Sequence, residues 1–544
     1  MKKFILAITV FLISIQLCAE DPPEYRAVYC ATFDINTKAR CERIVDNILS
    51  SNINAVFVEV RARADAYYYP NRDDDTYPNN EPRGELYDIS PADFDALQYF
   101  IDRLHAANPP REVHAWCTTY NSWNRSYSPG DPNHIYNAHP EWITENEAGS
   151  TYTYDDDAPL DPGVPAVREH IYNVFLDIVR NYDIDGIHFD YVRLLNSDSG
   201  YDPAAKARFL AETGWNYDTD NSAGNLNRVY AAWRRDQIAR LVQKVHSQTM
   251  LEKPWVDVSA FIVNFTDSIE NLAQGYNWWV AHDAIDVLHP SCYASNISGV
   301  TSDWDFSVNK LKQNGDENRA PLVAAIGDYL LQDDNENAQA VQTLRNNSRE
   351  PDGFNFFDYG SLFVDGDPAD EHASNLFDTG GPMDDWAPVP SEFLKSGEET
   401  VPPESPAELA VTSQDDIPRI SFKRPAAASD GDLPVHYRVY RDSSPDVNLY
   451  YSNLVMEWWD MDSSQINFSF EDLSASKGTW YYAVVSYDDW NNSAVSISGP
   501  VSVETEGSEY IIETRSGGKN VEDYSEISGT FFNRVPSTTP LWML

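Results

Sequence analysis

The sequence predicts an α/β chain, a (β/α)8 TIM barrel, followed by an all-β immunoglobulin-like sandwich. Three observations carry that expectation. Eight apolar strand-like runs recur between Arg26 and Leu362, with helical patterns between several of them. The first run, RAVYCATFD, leads into INTK without the Gly-rich turn that an open doubly wound sheet usually announces. Beyond Pro406 the helical periodicity gives way to short alternating strands separated by turn residues.

The eight runs come in order. They are RAVYCATFD (26–34), NAVFVEVRARADAYY (54–68), EVHAWCTTYN (112–121), DGIHFDYVR (185–193), WVDVSAFIVN (255–264), IDVLHPSCYA (285–294), PLVAAIGDYL (321–330) and GFNFFDYGSL (353–362). FDALQYFIDRLHAAN (94–108) and VREHIYNVFLDIVRNY (167–182) place apolar residues three and four apart, the period of a helix with one buried face. Eight strand–helix units at this length close most simply into a barrel.

The expected domains follow from these patterns. Residues 1–19 read as a signal peptide: Lys2 and Lys3 precede an apolar run too short to span a bilayer comfortably, and Ala19 precedes a plausible cleavage point. Leu17 is large where lipidation of Cys18 wants a small residue, so a lipoprotein is the weaker alternative. The barrel is expected over 24–395. A linker is expected over 396–406, within the polar, proline-bearing stretch that contains EETVPPESP. A fibronectin type III-like sandwich is expected over 407–506, and 507–544 as a partial or truncated β-module. The expected location is secreted, periplasmic or at the cell surface, with no integral membrane segment after signal cleavage and the monomer as the favoured state.

Charge narrows the partners. The 544 residues carry 86 acidic and 39 basic side chains, a formal net charge of −47 spread along the chain. Such a field repels nucleic acid and anionic lipid. The five cysteines form no disulfide scaffold; Cys30, Cys117 and Cys292 lie in strand-like runs and read as buried thiols, with a Cys30–Cys41 bridge as the alternative. No CxxC, HExxH or EF-hand pattern occurs, so neither a metal nor a cofactor is expected. The acid-rich NRDDDTYPNNE loop is expected to be solvated rather than to hold calcium.

In such a barrel, catalytic residues project from the C-terminal ends of the strands. The first run ends in Asp34. On the second, Glu59, Arg61, Arg63 and Asp65 share one parity, which directs them to the interior or its mouth. Glu59 and Arg61 equally suit a buried ion pair. The third run offers His114 and Trp116 on one face, then Tyr120 and Asn121; rings and amides together suit the apolar face and hydroxyls of a sugar. On the fourth, Ile187 and Phe189 face outward while His188 and Asp190 face the axis, and Tyr191 and Arg193 follow. A buried Asp190 needs a partner, for which Arg193, Arg61 and His188 are candidates. Later runs end with Tyr293 and Asp328. Asp190 is the expected main catalytic carboxylate, with Asp65 or Glu59 as its partner. Asp34, Arg61, His114, Trp116, Tyr120, Asn121, His188, Tyr191, Arg193, Tyr293 and Asp328 are expected to bind substrate.

RAVYCATFD, NAVFVEVRARADAYY, VHAWCTTYN, HPEWI, LDPGVPAVREHI, YDIDGIHFDYVR and HPSCYA resemble, in the same order, the blocks of the glycosyl hydrolase-like 10 family of bacterial TIM-barrel proteins. The resemblance implies a secreted or periplasmic glycoside hydrolase; some relatives act on peptidoglycan glycan strands stripped of peptide. Arg61 and Asp65 match the family's second-strand element, His114 and Trp116 its VHAW block, and His188 and Asp190 its GIHFD block. Two departures bear on substrate. Many relatives continue the fourth-strand block with a second aspartate, where Tyr191, Val192 and Arg193 stand here, and Glu59 replaces a common glutamine.

The expected function is therefore cleavage of glycosidic bonds in a polysaccharide by paired carboxylates. The alternative is a noncatalytic glycan-binding or cell-surface protein, which the acid-poor end of the fifth run favours. A deacetylase would want a metal cluster or nucleophile elbow that the sequence lacks.

Overall fold

The computed structural model describes residues 23–390 and 401–504 apart from short internal stretches, together with 513–517. The expected signal peptide and part of the expected linker lie outside the described residues.

Eight parallel strands close a barrel in sequence order: β1 (Tyr25–Cys30), β2 (Ala55–Arg61), β3 (Glu112–Thr118), β4 (Gly186–Asp190), β5 (Asp257–Ile262), β6 (Val287–Cys292), β7 (Val323–Gly327) and β8 (Gly353–Phe357). Each strand pairs with its sequence neighbours, and β8 pairs back onto β1. Alternation sorts the side chains into two layers. Val28, Val56, Val58, Val113, Ala115, Ile187, Phe189 and Val258 pack outward against the helices, while Tyr25, Tyr29, Phe57, Trp116 and Val287 fill the barrel.

The lower interior is aromatic and imidazole-rich. Phe57 stacks on His114 at a ring-centroid distance of 4.5 Å and meets His188 and His289 edge-on, each at 4.9 Å. Gly186 opens β4 because a Cβ there would lie 2.1 Å from His114 Nδ1. Burial drives all three imidazoles below their ordinary pKa, so they pack neutral. His188 makes hydrogen bonds to Tyr29 Oη (3.1 Å) and Ser259 Oγ (2.8 Å).

The strands are shorter than the apolar runs. β1 stops at Cys30, and the chain turns into helix α1 (Thr32–Ile35), so Asp34 sits on a helix and not at a strand end. β2 ends at Arg61, which leaves Asp65 in the following loop, and β3 ends before Tyr120 and Asn121. Helix α2 (Lys38–Ser50) follows α1. Among the described residues Cys30, Cys41, Cys117 and Cys292 are free and buried. No helix of the described residues is long and apolar enough to cross a membrane.

The C-terminal region forms antiparallel sheets consistent with a sandwich. One orders Ala407–Gln414, Ile417–Lys423 and Asn467–Glu471; the other contains Gly478–Tyr487, His436–Asp442 and Leu454–Asp460. Within the segment expected as a separate partial module, Glu513–Gly517 pairs in parallel with Leu454–Asp460. Arg438 reaches the barrel, donating to the Ser247 carbonyl at 2.7 Å.

Candidate active site

One layer above the histidines, the inward positions of β2, β3 and β4 carry Glu59, Trp116, Thr118 and Asp190. Register places Glu59 opposite Trp116 and Thr118 opposite Asp190, so the two acids flank β3.

Each carboxylate has its own set of donors. Thr32, the first residue of α1, donates to Glu59 Oε2 through its backbone N–H and its hydroxyl, both at 2.9 Å, and the Thr118 hydroxyl lies 3.4 Å from Oε1. Trp116 Nε1–H donates to Asp190 Oδ2 at 3.1 Å, and the Tyr191 N–H to Oδ1 at 2.7 Å. Tyr191 holds φ at 50°, a region a side-chain-bearing residue enters at a cost of about 1 kcal/mol, and the Arg193 guanidinium lies 4.8 Å from its ring centroid.

Electrostatics separates the two acids. Burial pushes Glu59 up to about 7, against the Thr32 donors and with help from the charges of Asp190 and Asp65. Asp190 is also raised by burial, but Arg193 opposes the shift, as do the Tyr191 and Trp116 donors. A cation thus supports ionised Asp190, whereas only neutral donors support Glu59.

Aromatic rings wall the cleft. Trp116 meets Tyr29 at 5.0 Å and Phe357 at 6.1 Å; Phe357 leads to Tyr293 at 5.6 Å and to Tyr329 at 6.0 Å. Tyr329 is 47% exposed at the rim. Opposite, Arg63 pairs with Asp157, and both charges act on Tyr191.

Seven of the expected binding residues stand elsewhere. Parity fails on β2 because the register shifts between Glu59 and Arg61, which aligns Arg61 with outward-facing Cys117. Arg61 therefore leaves the cleft: it grips Glu81 through Nε at 2.8 Å and Nη2 at 2.6 Å, donates to the Thr118 and Thr119 carbonyls, and is wholly buried. It pairs with neither Glu59 nor Asp190. Burial would raise Glu81, but Arg61 and His170 hold it down at about 2. His114 and His188 belong to the lower layer and present no usable surface to the mouth. Tyr120 and Asn121 are buried past the end of β3. Asp328 is wholly buried beneath its loop, accepting from His372 Nδ1 at 2.8 Å and Asn337 Nδ2 at 3.1 Å.

Asp65 is also fully buried, with Oδ1 on the Arg63 N–H (3.2 Å) and Oδ2 on the Leu86 N–H (2.8 Å); burial raises it to about 6. Those contacts organise the loop that presents Tyr87, whose ring meets Phe33 at 6.4 Å. Asp34 faces a cavity beside α1 and not the axis. Trp116, Asp190, Tyr191, Arg193 and Tyr293 remain at the mouth. Thr32, Thr118 and Phe357 were not singled out from sequence. Parity could have found Thr118, two residues after Trp116, and Phe357, two after the inward Asn355. Nothing in the sequence marks the turn that brings Thr32 to Glu59. Among the described residues no group of three or more His, Cys, Asp or Glu could hold a metal ion.

Residues 24–337 match the family described as Glycosyl hydrolase-like 10. The chain is 24% identical over 343 residues to glycosyl hydrolase YngK of Bacillus subtilis (strain 168), covering 55% of this chain and 61% of that protein. It is 27% identical over 175 residues to glycosyl hydrolase DigH of Escherichia coli (strain K12), covering 30% and 35%. The chain thus spans less than two thirds of the length of these curated relatives. The PgaB (BpsB) glycoside hydrolase domain from Bordetella bronchiseptica aligns at 13% identity and a TM-score of 0.46, over 63% of this chain and 97% of that one.

Proposed function

The chain belongs to the glycosyl hydrolase-like 10 family, and from that premise we propose that it is an exported glycoside hydrolase that cleaves a polysaccharide with Glu59 and Asp190. The observation that carries the residue assignment is the unlike support of two acids flanking one strand: Arg193 and two N–H donors on Asp190, hydroxyl and amide donors alone on Glu59.

Hydrolysis needs one carboxylic acid to protonate the leaving oxygen and one carboxylate to attack the anomeric carbon or activate water. Glu59, at about 7, holds its proton over part of the population at neutral pH and is the acid. Asp190, supported as an anion, is the nucleophile or base. The strands bearing them are separated by β3, about 10 Å between backbones, and both side chains turn toward the axis. A carboxyl separation of about 5–5.5 Å would give retention and about 6.5–9.5 Å inversion. Trp116, Tyr293, Phe357 and Tyr329 offer ring faces to the sugar. Asp65 acts through the Tyr87 loop rather than on substrate.

Digestion of a glycan panel that includes peptide-free peptidoglycan strands, with products read by mass and anomeric NMR, tests this reading. Wild type should release oligosaccharides and Asp190→Asn should release none while melting normally. Binding of glycans without any cleavage by wild type would instead favour a glycan-binding protein, the reading to which the inward Asp257, Ser259 and Phe261 of β5, with no acid at the mouth, lend support.

A further inference from the structure

Beside the cleft, α1, α2 and the turn after β8 enclose a cavity of about 330 Å³ lined by Phe33, Asp34, Arg40, Arg43, Tyr359 and Phe363. We propose that this cavity is an outlying subsite that takes a neutral pyranose unit of the glycan whose cleavage site lies at Glu59 and Asp190. The inference rests on the glycan reading of the cleft and adds where the chain runs beyond it.

Four observations converge on that ligand. The volume lies at the small end of ligand pockets, suited to one sugar ring with its waters. The cavity holds an unused acceptor and an unused donor: Asp34 Oδ2 is buried without a hydrogen-bond partner, and Arg43 makes no hydrogen bond among the described residues. Arg40 is already engaged, donating to the Phe33 carbonyl and to Asn36 Oδ1. A sugar hydroxyl donates and accepts at once, so a ring bearing several of them satisfies both groups.

The third observation is apolar. Phe33 on the cavity wall is 43% exposed, and Tyr87, 38% exposed, meets it edge-on at 6.4 Å, so two large rings are left in water together. The C–H face of a pyranose covers such a platform. The fourth is charge. Burial raises Asp34 and Asp358 stands near enough to raise it further, whereas Arg40 and Arg43 lower it. Two carboxylates and two guanidinium groups balance around the cavity, so neither an anionic nor a cationic sugar finds a net opposite charge there, and the chain's net charge of −47 further disfavours an anion.

The cavity and the acid share one turn of chain. Thr32 of α1 holds Glu59, and the next two residues, Phe33 and Asp34, line the cavity. A sugar seated there fixes the register of the polysaccharide relative to the proton donor.

Titration calorimetry on the Asp190→Asn protein, which keeps ligands intact, tests the proposal with cellohexaose, mannohexaose, chitohexaose and hexagalacturonate. At least one neutral hexamer should bind, and Phe33→Ala and Arg43→Ala, each added to Asp190→Asn, should weaken it about tenfold. Hexagalacturonate should bind about tenfold more weakly than that hexamer. Both substituted residues are exposed, so the fold is not at risk. Binding unaffected by either substitution, tighter binding of hexagalacturonate, or no binding of any neutral hexamer overturns the proposal. The readout is affinity, so a wild-type protein that cleaves nothing would sink the glycosidase reading while leaving this one decided on its own data.

Discussion

In the lower layer of the barrel, His114, His188 and His289 surround Phe57, driven neutral by burial, with hydroxyls and an amide from Tyr25, Tyr29, Ser259 and Asn355 as partners. One layer up, on the same parity of the same strands, Glu59 and Asp190 keep ionisable acids beside rings that reach solvent. The strands supply identical scaffolding to both layers. What differs is access to water and the kind of partner. A closed layer converts titratable groups into neutral packing, while an open one can hold an acid near 7 and an anion side by side. Chemistry therefore depends on height in the barrel as much as on facing its axis.

After loss of Asp190 itself, replacing Glu59 by Gln, which breaks the upper layer alone, should have the largest effect. Its kcat on unactivated glycosides should fall about 100- to 1,000-fold, the usual worth of a positioned acid. Aryl glycosides with acidic phenol leaving groups need little protonation and should lose much less. The alkaline limb of the wild-type kcat profile, centred near 7, should vanish in the variant. A limb that persists in Glu59→Gln would assign the proton to another group.

His188→Ala breaks the lower layer. It removes a ring packed against Phe57 and strands the Tyr29 and Ser259 hydroxyls, so urea unfolding should show a loss of about 2–4 kcal/mol. Its kcat should fall far less than that of Glu59→Gln. A catalytic loss without loss of stability would place His188 in the chemistry after all.

Trp116→Phe probes the junction between layers, since its ring packs on Tyr29 below and its Nε1–H holds Asp190. Loss of a hydrogen bond to a charged acceptor is worth about 1.5–3 kcal/mol, so kcat should fall by roughly tenfold to a hundredfold. The donor lowers the Asp190 pKa, so its removal should move the acidic limb of the profile to higher pH.

The same comparison explains what the sequence could reveal. Period-two alternation separated Ile187 and Phe189 from His188 and Asp190 correctly, because a strand's faces are written in its parity. Height is not written there. His188 and Asp190 are two residues apart on one face, yet one is core and the other lies at the mouth. Parity also fails where the ladder slips: the register shift after Glu59 sends Arg61 outward, and no feature of VEVRAR distinguishes a bulge from a continuing strand. Asp34 was misplaced for a third reason. The apolar run continues through Ala31, Thr32 and Phe33 while the backbone has already turned into α1, so composition carried the strand too far.

The smallest predicted effect sets the two layers against each other in the stability of the fold. Each lower-layer histidine is held below its ordinary 6.5, so the unfolded chain binds more protons beneath that value. Their contribution to stability is complete above 6.5 and lost as pH falls from there through the folded-state values. Glu59 has the opposite sign. Its value of about 7 exceeds the ordinary 4.5, so the folded state binds the extra proton; its contribution is complete below 4.5 and lost as pH rises through 7. Glu59→Gln should therefore stabilise the protein at pH 8, by about 1–2 kcal/mol once solvent at the mouth is allowed for, with the gain shrinking to nothing below pH 4.5. Urea denaturation of both proteins between pH 4 and 8 measures it. A difference independent of pH would mean that Glu59 carries no buried charge to relieve, and the contrast between an open acid layer and a closed histidine layer would lose its energetic basis.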